Sequence, residues 1–82
     1  MVNVSFHAFF KKTFSRIKDK SLKEKIIKQF LKIKNNPETG KPMKYTRKGT
    51  REVYINPFRL SYLYIKEENK IVFLDLYHKD KQ

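Results

Sequence analysis

Three apolar-rich runs that follow one another between Lys48 and Lys79 constrain the fold most. They are Arg51–Ile55, Phe58–Lys66 and Lys70–Tyr77. Each run is rich in β-branched and aromatic residues, which favour strands. The separators Asn56-Pro57 and Glu67-Glu68-Asn69 are short and carry residues typical of turns. The stretch therefore predicts three consecutive strands joined by tight turns.

The chain before this stretch opens with one more predicted strand and a helix. Val2, Val4 and Phe6 alternate with polar residues, which is the period of a short half-buried strand. A helix over Ala8–Lys18 is expected next, because apolar residues there recur at spacings of four and three. These residues are Phe10, Phe14 and Ile17. We interpret them as core residues rather than as a ligand site.

A second helix is predicted from Ser21 to Asn35. Ser21 and Glu24 have the spacing of a capping box, which marks a helix start. The helix should end before Pro37, because the residue before a proline is disfavoured in a helix and Asn36 tolerates a left-handed cap. Its predicted apolar stripe consists of Leu22, Ile26, Ile27, Phe30, Leu31 and Ile33.

Together these elements predict a single domain over residues 1–82. Their order is β-α-α-β-β-β, with a further short strand possible at Met43-Lys44-Tyr45. The expected fold class is α+β, with an antiparallel-rich sheet and the helical hairpin packed on one face.

The sheet should be apolar on both faces. Leu60 and Tyr62 point one way and Leu63 and Ile65 the other, if side chains alternate strictly. Two helices can cover only one face, so the second face is predicted to be an exposed apolar interface for an acidic partner. The alternative is a strongly curled sheet that hides its own second face.

Charge and composition restrict the possible functions. Twenty basic and eight acidic side chains give a formal charge of +12, which favours a polyanion such as nucleic acid as a partner. The chain has no Cys, two distant His and only two Gly, so neither a metal site nor a nucleotide-cradling loop is expected, and no cofactor is predicted. No apolar run or signal-like segment suggests a membrane or secretion, so the cytoplasm is the expected location.

Arginine is the exception in this lysine-rich chain. There are four Arg against sixteen Lys, and three of the four, Arg47, Arg51 and Arg59, lie within thirteen residues at the opening of the predicted sheet. A guanidinium grips phosphate with two parallel hydrogen bonds, which an ammonium cannot do. This placement predicts a phosphate site, whereas the alternative for Arg59 is a surface ion pair with Glu52 or Asp75.

The candidate catalytic residues are Arg59, Arg51, His78 and Lys79. The candidate RNA-binding residues are Lys44, Tyr45, Arg47 and Lys48. Metal-free RNA cleavage needs a base for the 2′-hydroxyl, cations for the developing phosphorane charge and an acid for the leaving oxygen. Histidine titrates nearest to neutral pH, so His78 suits proton transfer.

The order of elements and three short segments resemble the RelE toxin family. The segments are Asn36-Pro37, Phe58-Arg59-Leu60-Ser61-Tyr62 and the run from Ile71 to His78-Lys79. The resemblance spans nearly the whole chain, and its most specific part is the spacing between Phe58–Tyr62 and His78-Lys79. It implies a RelE-like fold.

The resemblance also implies an endoribonuclease, an mRNA interferase that inhibits translation by cutting mRNA on the ribosome. Its implied partners are the ribosome, mRNA and an acidic, RelB-like antitoxin, without a membrane or a small-molecule cofactor. Arg59 matches the family's phosphate-gripping Arg, Arg51 lies near a catalytic Lys, and His78 and Lys79 match basic residues after the last strand. Relatives carry a Tyr a few residues further on that is absent here. The related ParE toxins, which act on DNA gyrase, imply the alternative function of a gyrase inhibitor or a noncatalytic binding protein.

Overall fold

A computed structural model describes residues 2–42 and 49–78 of the chain. Its helices are α1 (Ala8–Arg16) and α2 (Lys20–Asn35). Its strands are β1 (Asn3–Phe6), β2 (Lys41–Pro42), β3 (Thr50–Ile55), β4 (Phe58–Ile65) and β5 (Lys70–His78). Neither helix is long and apolar enough to cross a membrane.

The five strands form one mixed sheet in the order β1-β5-β4-β3-β2. Strand β1 runs parallel to β5, and the other neighbouring pairs are antiparallel. The α+β class and the β-α-α-β-β-β order are confirmed. The sheet contains one strand beyond that order, the two-residue β2, which pairs with β3. The short strand predicted at 43–45 lies outside the described residues.

The hydrophobic core lies between the two helices and one face of the sheet, which we call the helix face. The core is formed by Phe10, Ile17, Ile26, Ile33, Ile55, Leu60, Tyr62, Ile71, Phe73 and Leu76. Both predicted helix stripes supply core residues, because spacings of three and four keep side chains on one side of a helix. The interpretation of Phe10 and Ile17 as core residues is therefore confirmed.

The predicted helix start at Ser21 and the predicted width of the α2 stripe are wrong. Asp19 is the N-cap, and its carboxylate accepts hydrogen bonds from the backbone N–H groups of Ser21 and Leu22. An Asp at this position satisfies the orphan donors that a capping box would otherwise satisfy. Ile27 and Leu31 are exposed, because Ile26 and Ile33 already occupy the buried side of α2.

Helix α2 ends where the sequence predicts, but the conformation of its C-cap residue differs from the prediction. The helix stops at Asn35, and Asn36 caps it with φ of −143° rather than in the left-handed region. Its side chain accepts a hydrogen bond from the N–H of Glu38, which starts the turn that leads away from the helix.

A β-bulge in β5 breaks the alternation that the sequence suggests. Ser61 pairs with Asp75 but Tyr62 pairs with Phe73, so Leu74 is an extra residue in the ladder. Beyond the bulge the side chains change faces, and Leu76 joins the core beside Leu60. Strict alternation along the last strand predicts Ile71, Phe73, Asp75 and Tyr77 on one face, and this prediction is wrong after Phe73.

The second face is not the exposed apolar surface that the sequence suggests. Leu63 is buried, as are Thr50 and Ser61, and Ile65 is partly buried. Among the described residues, the large exposed apolar side chains lie mainly on β1 and the helices, and Tyr54 alone lies on the second face. The predicted exposure of this face is therefore wrong, whereas its role as a partner interface stays a prediction.

Candidate functional site

A cluster of Glu52, Arg59 and Tyr77 lies on the second face of the sheet. The Arg59 Nη1 atom is 3.4 Å from Glu52 Oε1, and the Tyr77 hydroxyl donates to Glu52 Oε2 over 2.9 Å. Three neighbouring strands supply these residues, with Arg59 of β4 directly opposite Tyr77 of β5. The carboxylate thus holds a guanidinium and a phenol near the start of β4 and the end of β5.

The bulge in β5 is what brings Tyr77 to this cluster. With strict alternation from Ile71, the odd-numbered residues of β5 would all face the helices. The extra residue Leu74 reverses the order, so Tyr77 lies on the same face as Arg59. This is why sequence reasoning missed Tyr77 as a site residue.

The cluster is partly shielded from solvent. The side chains of Arg59 and Glu52 are 36% and 23% exposed, and they line an open groove of about 340 Å³ together with Lys41 and Tyr54. Burial raises the pKa of Tyr77, and the hydrogen bond to Glu52 and the charge of Glu52 raise it further, while Arg59 partly offsets both. Tyr77 therefore stays protonated and keeps donating to the carboxylate well above neutral pH.

Arg51 lies on the other face of the sheet, opposite Tyr62. Its Nη1 atom donates to the carbonyl oxygens of Gly40 and Glu38, at 2.7 and 3.1 Å. The structure therefore does not bring Arg51 together with Arg59. A guanidinium that satisfies two carbonyl groups anchors the segment that follows α2.

Tyr62 anchors the same segment from the helix face. Its hydroxyl donates to the Pro37 carbonyl and accepts from the Gly40 N–H, both at 2.8 Å. Gly40 is required at this close approach, because a Cβ atom there would lie 2.6 Å from the Tyr62 hydroxyl oxygen. We call these contacts of Pro37, Glu38 and Gly40 with Arg51 and Tyr62 the loop clasp.

His78 ends β5 on the helix face. It pairs with Phe58, and the two rings lie 5.6 Å apart, beside a groove that Thr13 and Arg16 of α1 also line. His78 therefore lies on the opposite side of the sheet from Arg59.

The other predicted site residues, Lys79, Lys44, Tyr45, Arg47 and Lys48, lie outside the described residues. Within residues 2–42 and 49–78, no group of three His, Asp or Glu side chains is placed to hold a metal ion. The catalytic and RNA-binding roles stay predictions.

The loop clasp makes the stability of the fold decrease at alkaline pH. Burial raises the pKa of Tyr62 above its ordinary value of about 10, and the Gly40 hydrogen bond and the Arg51 charge offset only part of this. The unfolded chain thus loses this proton first as pH rises, so the contribution of Tyr62 is complete below about pH 10 and is lost as pH rises through the folded-state pKa.

We expect Tyr62→Phe to cost roughly 1–3 kcal/mol at neutral pH, because it leaves the Gly40 N–H and the Pro37 carbonyl without their partner. The difference in unfolding free energy from the wild type should shrink above about pH 10. Urea unfolding followed by circular dichroism between pH 8 and 11 measures it. A difference that stays constant over this range would show that Tyr62 does not titrate as described.

Comparison with known proteins identifies the fold and the family. The family model for the ParE toxin of type II toxin-antitoxin systems, parDE, matches residues 4–82. Isolated RelE toxin of E. coli has the same fold, with a TM-score of 0.83 and 12% identity over 100% of this chain and 88% of that chain. The archaeal RelE–RelB complex of Pyrococcus horikoshii gives a TM-score of 0.79 at 15% identity, covering 99% and 98% of the two chains.

A third similar structure comes from the YoeB–YefM toxin-antitoxin complex of Staphylococcus aureus. Its TM-score is 0.71 at 25% identity, over 95% of this chain and 98% of that one. No curated protein sequence matches the chain. The family match spans nearly every residue and agrees with the fold, so this chain belongs to the family of ParE toxins of type II toxin-antitoxin systems, within the RelE/ParE superfamily.

Proposed function

We propose that this toxin is an endoribonuclease that cuts mRNA on the ribosome by metal-free attack of the 2′-hydroxyl, and that it thereby inhibits translation. The observation that carries the proposal is the contact of Arg59 with Glu52 and Tyr77 on the second face of the sheet. A carboxylate, a guanidinium and a phenol in contact supply a proton acceptor and a cation, which this reaction requires.

In the proposed reaction the Glu52 carboxylate accepts the proton of the 2′-hydroxyl. The 2′-oxygen attacks the neighbouring phosphorus, and the bond from phosphorus to the 5′-oxygen breaks. Arg59 binds the phosphate oxygens and stabilises the charge that develops on them. Tyr77 orients the carboxylate through its hydrogen bond. The leaving 5′-oxygen takes a proton, for which Lys79, directly after β5, stays the candidate, because His78 lies on the opposite side of the sheet from Arg59.

Arg51 has a different part in this proposal. Its contacts with Glu38 and Gly40 belong to the loop clasp. We therefore assign Arg51 the role of anchoring the segment that leads into residues 43–48. The proposed RNA-binding residues come directly after this anchored segment in the sequence. They are Lys44, Tyr45, Arg47 and Lys48.

The proposed partners are the ribosome with its mRNA and an acidic antitoxin. RelE toxins occur in complexes with RelB in E. coli and in Pyrococcus horikoshii. A net charge of +12 suits both ribosomal RNA and an acidic protein. Because ribosomes are the proposed target, the cytoplasm is the proposed place of action.

A gyrase inhibitor is the second candidate function. The observation that favours it is the family model itself, which describes ParE toxins. The phosphate-binding chemistry of Arg59 favours the ribonuclease, because inhibition of gyrase needs no acid–base cluster.

Two assays with the purified protein distinguish these functions. Primer extension on an mRNA that is being translated should reveal new 5′ ends, whereas the rate of plasmid supercoiling by gyrase should not change. Uncut mRNA together with blocked supercoiling would establish the gyrase function instead. Absence of both effects would contradict both candidates.

A further inference from the structure

An open groove lies at the edge of the sheet where β5 ends. Strand β1 pairs with β5 only as far as Phe73, so within the described residues no strand covers this edge of β5 beyond that position. Helix α1 lies beside the uncovered part, and the groove between them has a volume of about 350 Å³. Its lining includes Thr13, Arg16, Phe58, Asp75 and His78. We call it the edge groove.

Two opposite charges line this groove without pairing with each other. The side chain of Arg16, the last residue of α1, makes no hydrogen bond or ion pair with any residue of the ranges 2–42 and 49–78. The Asp75 carboxylate accepts a hydrogen bond from the Leu76 N–H at 2.8 Å and forms no ion pair within the same ranges. A guanidinium and a carboxylate that line one groove but stay apart leave room for a ligand between them. Such a ligand needs acceptors on one edge and donors on another.

Two aromatic rings adjoin these charges. Phe58 of β4 pairs with His78 of β5, and their ring centroids lie 5.6 Å apart at an angle of 73°. Both residues are partly buried, so they are held by the sheet but keep an exposed surface. Aromatic rings of this kind are the surfaces on which the bases of single-stranded RNA stack. The edge groove therefore combines a stacking surface with polar groups that can bind a base edge.

We propose that the edge groove binds a guanine base of the RNA substrate. Guanine carries two neighbouring acceptors, N7 and O6, on one edge and two neighbouring donors, N1–H and N2–H, on the next. The Arg16 guanidinium would donate to N7 and O6, which is the commonest specific contact between a protein side chain and a base. The Asp75 carboxylate would accept from N1–H and N2–H, and the ring of the base would stack against the pair of Phe58 and His78.

The two charges select guanine over other ligands. A phosphate group would be repelled by Asp75, and a metal ion would be repelled by Arg16. Within residues 2–42 and 49–78, moreover, no group of three His, Asp or Glu side chains is placed to hold a metal ion. Among the RNA bases, adenine would present its N1 acceptor to the carboxylate, and cytosine and uracil lack two neighbouring donors. Guanine is therefore the base that satisfies both charged side chains.

The edge groove adjoins the proposed cleavage site. Phe58 directly precedes Arg59 in β4, and Tyr77 lines the groove while its hydroxyl donates to Glu52. An RNA strand that crosses this end of the sheet can thus place a phosphate at Arg59 and the base of a neighbouring nucleotide in the groove. The proposal rests on the proposed function only in taking RNA as the ligand, and it makes a guanosine beside the scissile phosphate the preferred substrate.

Four trinucleotides, uridine–X–uridine with G, A, C or U at X, test this preference. A 2′-O-methyl group on each ribose blocks attack by the 2′-oxygen, so binding is measured without cleavage. Fluorescence anisotropy measures the dissociation constants for the full-length protein, and NMR chemical shifts locate the site. We expect the guanine trinucleotide to bind roughly tenfold or more tightly than the other three, which is the discrimination of a bidentate contact to one base. The amide signals of Arg16, Asp75 and His78 should shift.

Modified bases at X test each contact by itself. Inosine lacks the N2 amino group that Asp75 would bind, and 7-deazaguanosine lacks the N7 atom that Arg16 would bind. Each should bind the wild type several-fold more weakly than guanosine, because a charged side chain loses a hydrogen bond. Asp75→Asn should abolish the difference for inosine, and Arg16→Ala the difference for 7-deazaguanosine. Asp75→Asn keeps an oxygen that can accept from the Leu76 N–H, so the local backbone should be preserved.

Matched variants separate the groove from general charge effects. Lys12→Ala removes another exposed cation of α1, and Glu68→Gln removes an exposed carboxylate from the turn between β4 and β5. Neither residue lines the groove, so both variants should keep the wild-type preference for guanine. Circular dichroism confirms that each variant is folded.

Four results would overturn the proposal. They are absence of binding, equal binding of the four trinucleotides, chemical shifts confined to the second face, and a guanine preference that survives both Asp75→Asn and Arg16→Ala. The mRNA assay has a separate outcome. A protein that binds guanine in the groove but cuts no mRNA would support this proposal and contradict the ribonuclease function, whereas one that cuts mRNA without binding guanine there would do the reverse.

Discussion

Replacing Arg59 with Ala should lower single-turnover cleavage of mRNA on programmed ribosomes by roughly a hundredfold or more. This is the loss expected when one preorganised electrostatic contact to the transition state is removed. Arg59→Lys should recover only part of the rate, because it keeps the charge but loses the two-pronged grip on phosphate.

Two controls make this prediction specific. Lys28→Ala removes an exposed cation of α2, on the helical side of the molecule, and should leave the cleavage rate within a few-fold of the wild type. Circular dichroism shows whether Arg59→Ala keeps its fold. If a folded Arg59→Ala protein cleaved mRNA at the wild-type rate, Arg59 would have only a structural role in the ion pair with Glu52. Such a partly exposed ion pair contributes at most about 1 kcal/mol to stability.

The largest effect on stability is expected for Phe73→Ala. Phe73 is 1% exposed, and its ring contacts Phe30 at 4.6 Å, Phe6 at 5.3 Å and Phe10 at 5.9 Å. Truncating such a side chain typically costs about 3–5 kcal/mol through lost burial and the cavity left behind. A domain of this size has only about 4–12 kcal/mol in total, so the variant should be largely destabilised.

Thermal unfolding followed by circular dichroism measures this loss. We expect the melting temperature to fall by at least about 12 °C, since each kcal/mol shifts it by about 4–8 °C in a domain of this size. Phe9→Ala is the matched truncation at a position that is 65% exposed, and it should change stability by less than about 0.5 kcal/mol. Equal losses in the two variants would contradict the position of the core.

Much of the fold is predictable from local pattern. Spacings of three and four along α1 and α2 identify Phe10, Ile17, Ile26 and Ile33 as buried, and they are. Such a pattern indicates which side of a helix is apolar but not how wide the buried stripe is. Ile27 and Leu31 directly follow Ile26 and Phe30, so they project about 100° further round the helix and stay exposed.

The candidate site is predictable only in part. Arg59 stands out in the sequence because it is one of four Arg in a chain with sixteen Lys. Its ion pair with Glu52 is one of the two alternatives that the sequence offers for this residue. Tyr77 could not be found, because its face depends on the extra residue Leu74 in β5. Packing across strands decides where a bulge falls, and periodicity along one strand does not contain that information.

The pairing of β1 with β5 has a consequence for how the protein is made. Asn3 lies beside Lys70 in the sheet, and β5 also separates β1 from β4. Until β5 has been synthesised, the first strand has no neighbour and the Phe6 ring lacks Phe73. Contacts between such distant residues make folding slow, because a long loop must close before they are gained. A ribosome that synthesises this toxin thus completes nearly the entire described chain before the native sheet, and with it the Arg59 cluster, can assemble.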